Sequence, residues 1–494
     1  MRRIAFPLAT LLSLAMVPAV AAAADDVSGT LALDPTQFAG SDTLGRVMLY
    51  TPTELAPGSS VSHWDRSASP DLLMEPNASP LVPVGTVDLT LPNFNDLGWP
   101  QGGSTITVRV TDGDDEGFND PTDASEVPNN PGGTTLGGQR LAAIEWAADI
   151  WAGLLGSSVE INLDAAFSEL DCDDTGAVLA QAGPASIFFN FPNAPREGMW
   201  YATALAEALA GENLSTTEDG GPVNAGDLSL TFNSQIDEGC VSPSFRYYYG
   251  LDGNTPNGQI AFAMVALHEM AHGLGFISFV NPANGLYPVF PGSGLPQLPD
   301  IFSSFLFDVD LQLHWDEMTN VERRNSAINP NRVVWDGPQV TDAAPDFLEN
   351  APTLTINSPS SIAGTYLLQG AFFGPPINET GITGDLVVAF DSTDQPKLAC
   401  ETLANASEVA GKIAVIDRGE CNFTVKVKNA QDVGAIAVLI VNNQPVGLPP
   451  MGGEDPTVTI PSAGISKADG DRIKRALGMI TTDPLRPTRR LAPN

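Results

Sequence analysis

The sequence predicts an α+β fold with a separate small α/β module on its C-terminal side. Three observations lead there. Short apolar runs alternate with Gly- and Pro-rich turns in residues 27–110, the texture of strands and loops. Residues 258–274 read as an almost wholly apolar helix, interrupted after Gln259 by His268, Glu269 and His272. The texture then changes near residues 350–360, and residues 361–480 carry their own set of short strands and a helix.

The chain has 494 residues, enough for more than one hydrophobic core. It opens with Met1-Arg2-Arg3, an apolar stretch to Val20 and small residues to Ala24. This is the pattern of a signal peptide over residues 1–24. The apolar stretch is too short, and too soon followed by Asp25 and Asp26, to serve as a membrane anchor. The expected protein is secreted and extracellular, with the periplasm as the alternative compartment. Its 59 acidic and 23 basic residues give a net charge of −36, which repels a nucleic-acid backbone. No nucleic-acid partner is expected.

The elements follow in order. Residues 27–100 read as strands and loops, and residues 104–110 alternate with period two as a strand. An acidic loop occupies residues 112–133. Leu141, Ile144, Ala148 and Trp151 mark a helix over residues 138–155. A strand is expected at 159–163 and helices at 200–210, 258–274 and 315–327. In the second module, strands are expected at 386–390, 412–416 and 437–441. The helix between them, residues 424–433, is expected to turn Val425, Asn429 and Val433 inward and Lys426 and Lys428 outward. Residues 484–494 read as a disordered tail.

Four cysteines, even in number and widely spaced in an exported chain, read as two disulfides. Three pairings exist. Cys172–Cys240 and Cys400–Cys421 are favoured, because each lies within one unit.

His268-Glu269-Met270-Ala271-His272 carries the chemistry. Residues four apart share a helix face, so both imidazoles reach one ion, with Glu269 beside them as base for a water. Zn²⁺ is the expected metal and protein or peptide the expected substrate. The plainer reading is a polar helix face with ordinary histidines. Against it, two of the chain's four His fall in this motif, on an otherwise apolar helix. Gly273 and Gly275 then allow a sharp exit that brings in a later ligand. A catalytic zinc needs a third protein ligand. Ser278, at the compact spacing, is a poor one. His63 and His314 remain, with Asp300, Asp308, Glu317 and Glu322 as carboxylate alternatives.

The segment from His268 to Phe276 resembles the zinc helix of leishmanolysin-like metzincins, secreted bacterial zinc metallopeptidases among them. Ser62-His63-Trp64-Asp65 and Leu72-Leu73-Met74-Glu75-Pro76 resemble that family's third-ligand segment and Met-turn. The resemblance implies a zincin-like (metzincin-type) catalytic domain over residues 101–355. It makes His63 the third ligand and Met74 the Met-turn methionine, with His314 and then Asp308 as runners-up. Residues 27–100 precede the zinc helix here, whereas the family places such a segment after it. A circular permutation or a rearranged sequence would write the chain this way.

Residues 399–470 resemble the protease-associated (PA) domain. The match runs from Cys400 through Gly411-Lys412-Ile413, Asp417-Arg418-Gly419-Glu420-Cys421-Asn422-Phe423, Asn442-Asn443 and Met451-Gly452-Gly453 to Ile460-Pro461. PA domains act as lids, substrate-recruiting surfaces or interaction modules, and residues 361–480 are assigned to one.

Two weaker features complete the reading. The acidic loop 111–116 offers oxygens to Ca²⁺, or is simply solvated. Tyr247, Tyr248 and Tyr249 either stabilise an oxyanion or pack a strand beside the cleft. The function expected is a zinc metalloendopeptidase with Glu269 as general base. The alternatives are a non-catalytic adhesion or binding protein on the same fold, and a zinc hydrolase of non-peptide amides.

Overall fold

The computed structural model describes residues 26–79, 82–215, 226–290, 294–444, 447–449 and 451–478. The expected signal peptide, 1–24, and the tail, 484–494, lie outside them. Among the described residues, no helix is long and apolar enough to cross a membrane.

Alternating apolar residues build a four-stranded sheet in the order Ile106–Val110, Ile161–Ser168, Leu228–Asn233, Ala180–Pro184. The first three strands are parallel and the last is an antiparallel edge. Two helices, Leu136–Leu154 and Phe262–Leu274, pack together beside this sheet. Their seam is apolar, and its few polar atoms are satisfied. Trp151 Nε1 donates to Leu267 O at 3.1 Å, and Trp99 Nε1 donates to Leu274 O at 3.1 Å. Gly273 lets the second helix lie close to the sheet, since a Cβ there would stand 2.5 Å from the Leu228 side chain. Phe262 anchors the helix start among Phe232, Phe167 and Phe118.

The early chain completes this core. Val47, Leu49, Val61, Trp64, Leu72, Leu73 and Met74 are buried in the same cluster as Leu267 and Met270. Trp64 meets Phe276 edge to face at 5.0 Å. Residues near 63 and 74 are thereby brought against the helix that carries His268.

The second unit is an eight-stranded sheet with a parallel centre: Ile382–Val388, Ile413–Asp417, Ala437–Val441 and Ser462–Ile465. Its central strands are buried on both faces, which explains their unbroken apolar runs. Val415 and Leu439 face one core with Ile473, while Ala414, Val438 and Ile440 face another with Val427. Gly364–Leu367 and Gln369–Gly370 pair with Asn350–Ser358 and Ser462–Ile465 respectively, so one short segment links the two ends of the sheet.

Several expectations need correction. Residues 27–100 do not stay together: Ser28–Phe38 joins the second unit's sheet between Asn350–Ser358 and Ile382–Val388. Leu31 and Val27 are buried in that unit's core, so its apolar alternation serves a different partner from the one expected. The boundary near 355 also moves, because Asn350–Ser358 belongs to this sheet. The helix expected from residue 258 begins at Phe262, since Gln259–Ala261 pairs in parallel with Arg246–Tyr248. Residues 315–327 divide into a short turn, Trp315–Glu317, and a helix, Asn320–Ser326, capped by Thr319. In helix Phe423–Asp432 two residues exchange places: Val425 is exposed and Lys426 is buried, while Asn429 Nδ2 donates to Ala399 O as an inward residue. Lys426 Nζ donates to Leu398 O at 2.6 Å, which satisfies the buried ammonium in part.

Candidate metal centre

Helix Phe262–Leu274 sets His268 and His272 one turn apart on one face. His63 arrives from the loop that precedes Trp64. Its Nε2 lies 3.1 Å from His268 Nε2 and 3.3 Å from His272 Nε2. Among the described residues, this is the group of His, Cys, Asp or Glu whose ligand atoms gather within 4.8 Å.

The outer nitrogens decide what the inner ones do. Nδ1 of His63 contacts Ser59 O at 2.9 Å, Nδ1 of His268 contacts Leu73 O at 2.7 Å, and Nδ1 of His272 contacts Phe276 O at 2.8 Å. A carbonyl oxygen only accepts, so each Nδ1 carries the proton and donates. Each neutral ring then presents an Nε2 lone pair inward. The His63 lone pair stands 3.1 Å from that of His268 and 3.3 Å from that of His272 and repels both, and a cation between the three removes the conflict. Burial pushes the His268 imidazole down to about 4. Burial, with His268 beside it, pushes His272 down to about 3. His63 is held well below its ordinary value by burial and by the other two rings. Protonation is therefore disfavoured at every donor. Three neutral imidazoles with backbone-anchored Nδ1 atoms suit zinc, and three protein ligands is the count found at catalytic zinc sites.

Glu269 follows His268 on the helix and is 7% exposed. Burial pushes its carboxyl up to about 8. It makes no hydrogen bond among the described residues, so it is available to a proton.

The runner-up ligands lie elsewhere. His314 Nε2 meets Asp336 Oδ2 at 3.0 Å, and its side chain caps the turn Trp315–Glu317. Asp308 is buried, but it accepts from Asp310 N, Leu311 N and Ser326 Oγ. Asp300 accepts from Phe279 N and Ser303 N, and Glu317 and Glu322 cap backbone amides. Ser278 Oγ bonds Ser303 Oγ. None of these joins the three imidazoles. Met74 is fully buried, and its carbonyl accepts from Trp64 N at 2.8 Å, next to His63.

The Ca²⁺ expectation gains no support. Asp112 accepts from Phe118 N and Phe167 N, and Glu116 accepts from Gly113 N, so these acids brace the loop 111–116. The three tyrosines are likewise engaged: Tyr247 donates to Leu179 O, Tyr248 to Asp252 Oδ1 and Tyr249 to Asp237 Oδ2. Tyr247 and Tyr249 pack against Phe262, and all three hydroxyls are already donating. The disulfides are Cys172–Cys240 and Cys400–Cys421.

Sequence reasoning missed the three carbonyls of Ser59, Leu73 and Phe276. Any residue supplies a carbonyl, so no side-chain signal marks them. It also missed Asp88, whose carboxylate accepts from the Leu73 N–H.

The PA domain family matches residues 382–473. Vacuolar-sorting receptor 2 of Arabidopsis thaliana is 33% identical over 161 residues, covering 29% of this chain and 25% of the receptor. The PRADC1-like protein of Drosophila melanogaster is 40% identical over 101 residues, covering 20% of this chain and 49% of that protein. A zinc aminopeptidase structure from Bacillus subtilis aligns at 31% identity over 23% of this chain and 26% of its own, with a TM-score of 0.18. The chain thus spans about a quarter of the length of the receptor it matches. Residues 382–473 of this chain are a PA domain.

Proposed function

We propose that this chain is an exported zinc-dependent endopeptidase, with His63, His268 and His272 as metal ligands and Glu269 as general base. One observation carries the reading: three buried or partly buried imidazoles aim unprotonated Nε2 atoms at one point beside a buried glutamate that makes no side-chain hydrogen bond among the described residues. Zinc bound there supplies a Lewis acid that acidifies a water and polarises a carbonyl. The three imidazoles hold their orientation through Nδ1 donors to backbone carbonyls, so no reorganisation accompanies the reaction. Glu269 takes a proton from the attacking water on a carboxylate oxygen. It then passes that proton to the leaving amine nitrogen. Two disulfides and the signal-like start of the sequence support export. The PA domain serves as a polypeptide-facing module beside the catalytic unit.

The test is digestion of casein by the purified full-length chain, with the products read by mass spectrometry. Internal cleavage that a chelator abolishes and zinc restores is expected. Activity indifferent to zinc removes the mechanism. Release of single N-terminal residues alone replaces endopeptidase by aminopeptidase.

A further inference from the structure

His268 is aimed by one atom, the Leu73 carbonyl oxygen. That carbonyl has its own support. The Leu73 N–H donates to Asp88 Oδ2 at 2.5 Å, while Asp88 Oδ1 accepts from the Thr90 N–H at 3.3 Å and the Thr90 hydroxyl at 3.2 Å. On the other side, Met74 O accepts from Trp64 N at 2.8 Å. The Leu73 carbonyl belongs to the Leu73–Met74 peptide, which lies between the Leu72–Leu73 peptide held by Asp88 and the Met74–Glu75 peptide held by Trp64, so it turns only by a concerted change of the Leu73 ψ and the Met74 φ.

Asp88 is costly to keep. It is 5% exposed and makes no ion pair among the described residues. Its φ is +28°, a backbone conformation that non-glycine residues seldom adopt. Capping the helix Thr90–Leu97 would use only the oxygen that faces Thr90. The second oxygen turns away from the helix toward the Leu73 peptide.

We propose that Asp88 is a positioning residue of the metal centre, pinning the Leu73 N–H and with it the local backbone, so that the Leu73 carbonyl of the next peptide faces His268 Nδ1 and His268 Nε2 stays aimed inward. The chain of contacts runs carboxylate, peptide, imidazole, ion. It resembles the supporting hydrogen bonds that orient metal-bound histidines generally, with the backbone of one residue, Leu73, interposed. The proposal rests on the zinc reading above.

The test is zinc affinity by chelator competition on the full-length chain, with the visible spectrum of the Co²⁺-loaded protein as a second readout. Asp88→Gly removes the carboxylate and suits the positive φ, so it does not add backbone strain. It is expected to bind zinc about tenfold more weakly and to shift the Co²⁺ bands. Asp88→Asn keeps an acceptor for Leu73 N–H and should stay within about threefold of the parent, its spectrum unchanged. Thr90→Val loosens the same carboxylate and should weaken zinc by about threefold. It decides the matter if the glycine variant does not fold. Parent-like affinity and spectrum in Asp88→Gly, or parent-like affinity in Thr90→Val where Asp88→Gly does not fold, overturn the proposal and leave the zinc reading standing. A parent protein that binds no zinc overturns both.

Discussion

His63 and His268 stand 205 positions apart in the chain, and their Nε2 atoms lie 3.1 Å from each other. Both rings donate from Nδ1 to a carbonyl, so the close atoms are two lone pairs, not a donor and an acceptor. A bound cation makes that contact favourable. Stripping zinc should therefore lower the melting temperature. At zinc about a thousandfold above its Kd, the linked stabilisation is about 4 kcal/mol. A melting temperature that a strong chelator leaves unchanged would count against the site.

Glu269→Gln preserves shape and leaves all three imidazoles in place. The variant should bind zinc as the parent does. It should lose about 10²-fold or more in casein cleavage, the scale of general-base catalysis. Parent-like cleavage by this variant would transfer the base role to another group.

The N-terminal strand Ser28–Phe38 belongs to the second unit, where Leu31 pairs with Leu354 and Ile382 and is fully buried. Leu31→Ala should cost about 2–5 kcal/mol. The loss should appear as faster proteolysis of residues 350–478, with the strands Ile106–Val110 and Ile161–Ser168 less affected. Equal loosening of both units would contradict this division.

Glu75 gives a pH signature away from the imidazoles. Burial, with Asp71 and Asp65 nearby, pushes its carboxyl from 4.5 up to about 8. Between these values the folded chain holds a proton that the unfolded chain has released, so stability falls as pH rises through that window. Glu75→Gln can still accept from Leu72 N, as Glu75 does at 3.0 Å. The variant should melt higher than the parent at pH 8, by about 2–4 °C for each kcal/mol relieved, and match it at pH 4. A constant difference across this range would exclude titration of Glu75 as the cause.

Parts of this architecture are legible in the residues themselves. The spacing of His268 and His272 encodes a shared helix face. The apolar runs Ile413–Asp417 and Ala437–Val441 encode strands covered on both sides. Other parts are not, for identifiable reasons. Ser28–Phe38 alternates like any half-buried strand, and alternation does not name the sheet it joins. Lys426 looked solvent-facing because its burial depends on Leu398 O, a distant backbone atom. His63 and His314 are each followed by Trp, so local pattern alone does not separate them. Their partners do: His314 caps a turn and meets Asp336, whereas His63 meets His268 and His272. The carbonyls that orient the three rings leave no mark on side-chain identity.

The central claim is that a ligand from the early chain completes the zinc site. The direct measurement is zinc per protein, by elemental analysis, in the parent, His63→Ala and His314→Ala. About one zinc in the parent and in His314→Ala, with loss in a folded His63→Ala, is the predicted result. Zinc retained in His63→Ala and lost in His314→Ala would contradict it.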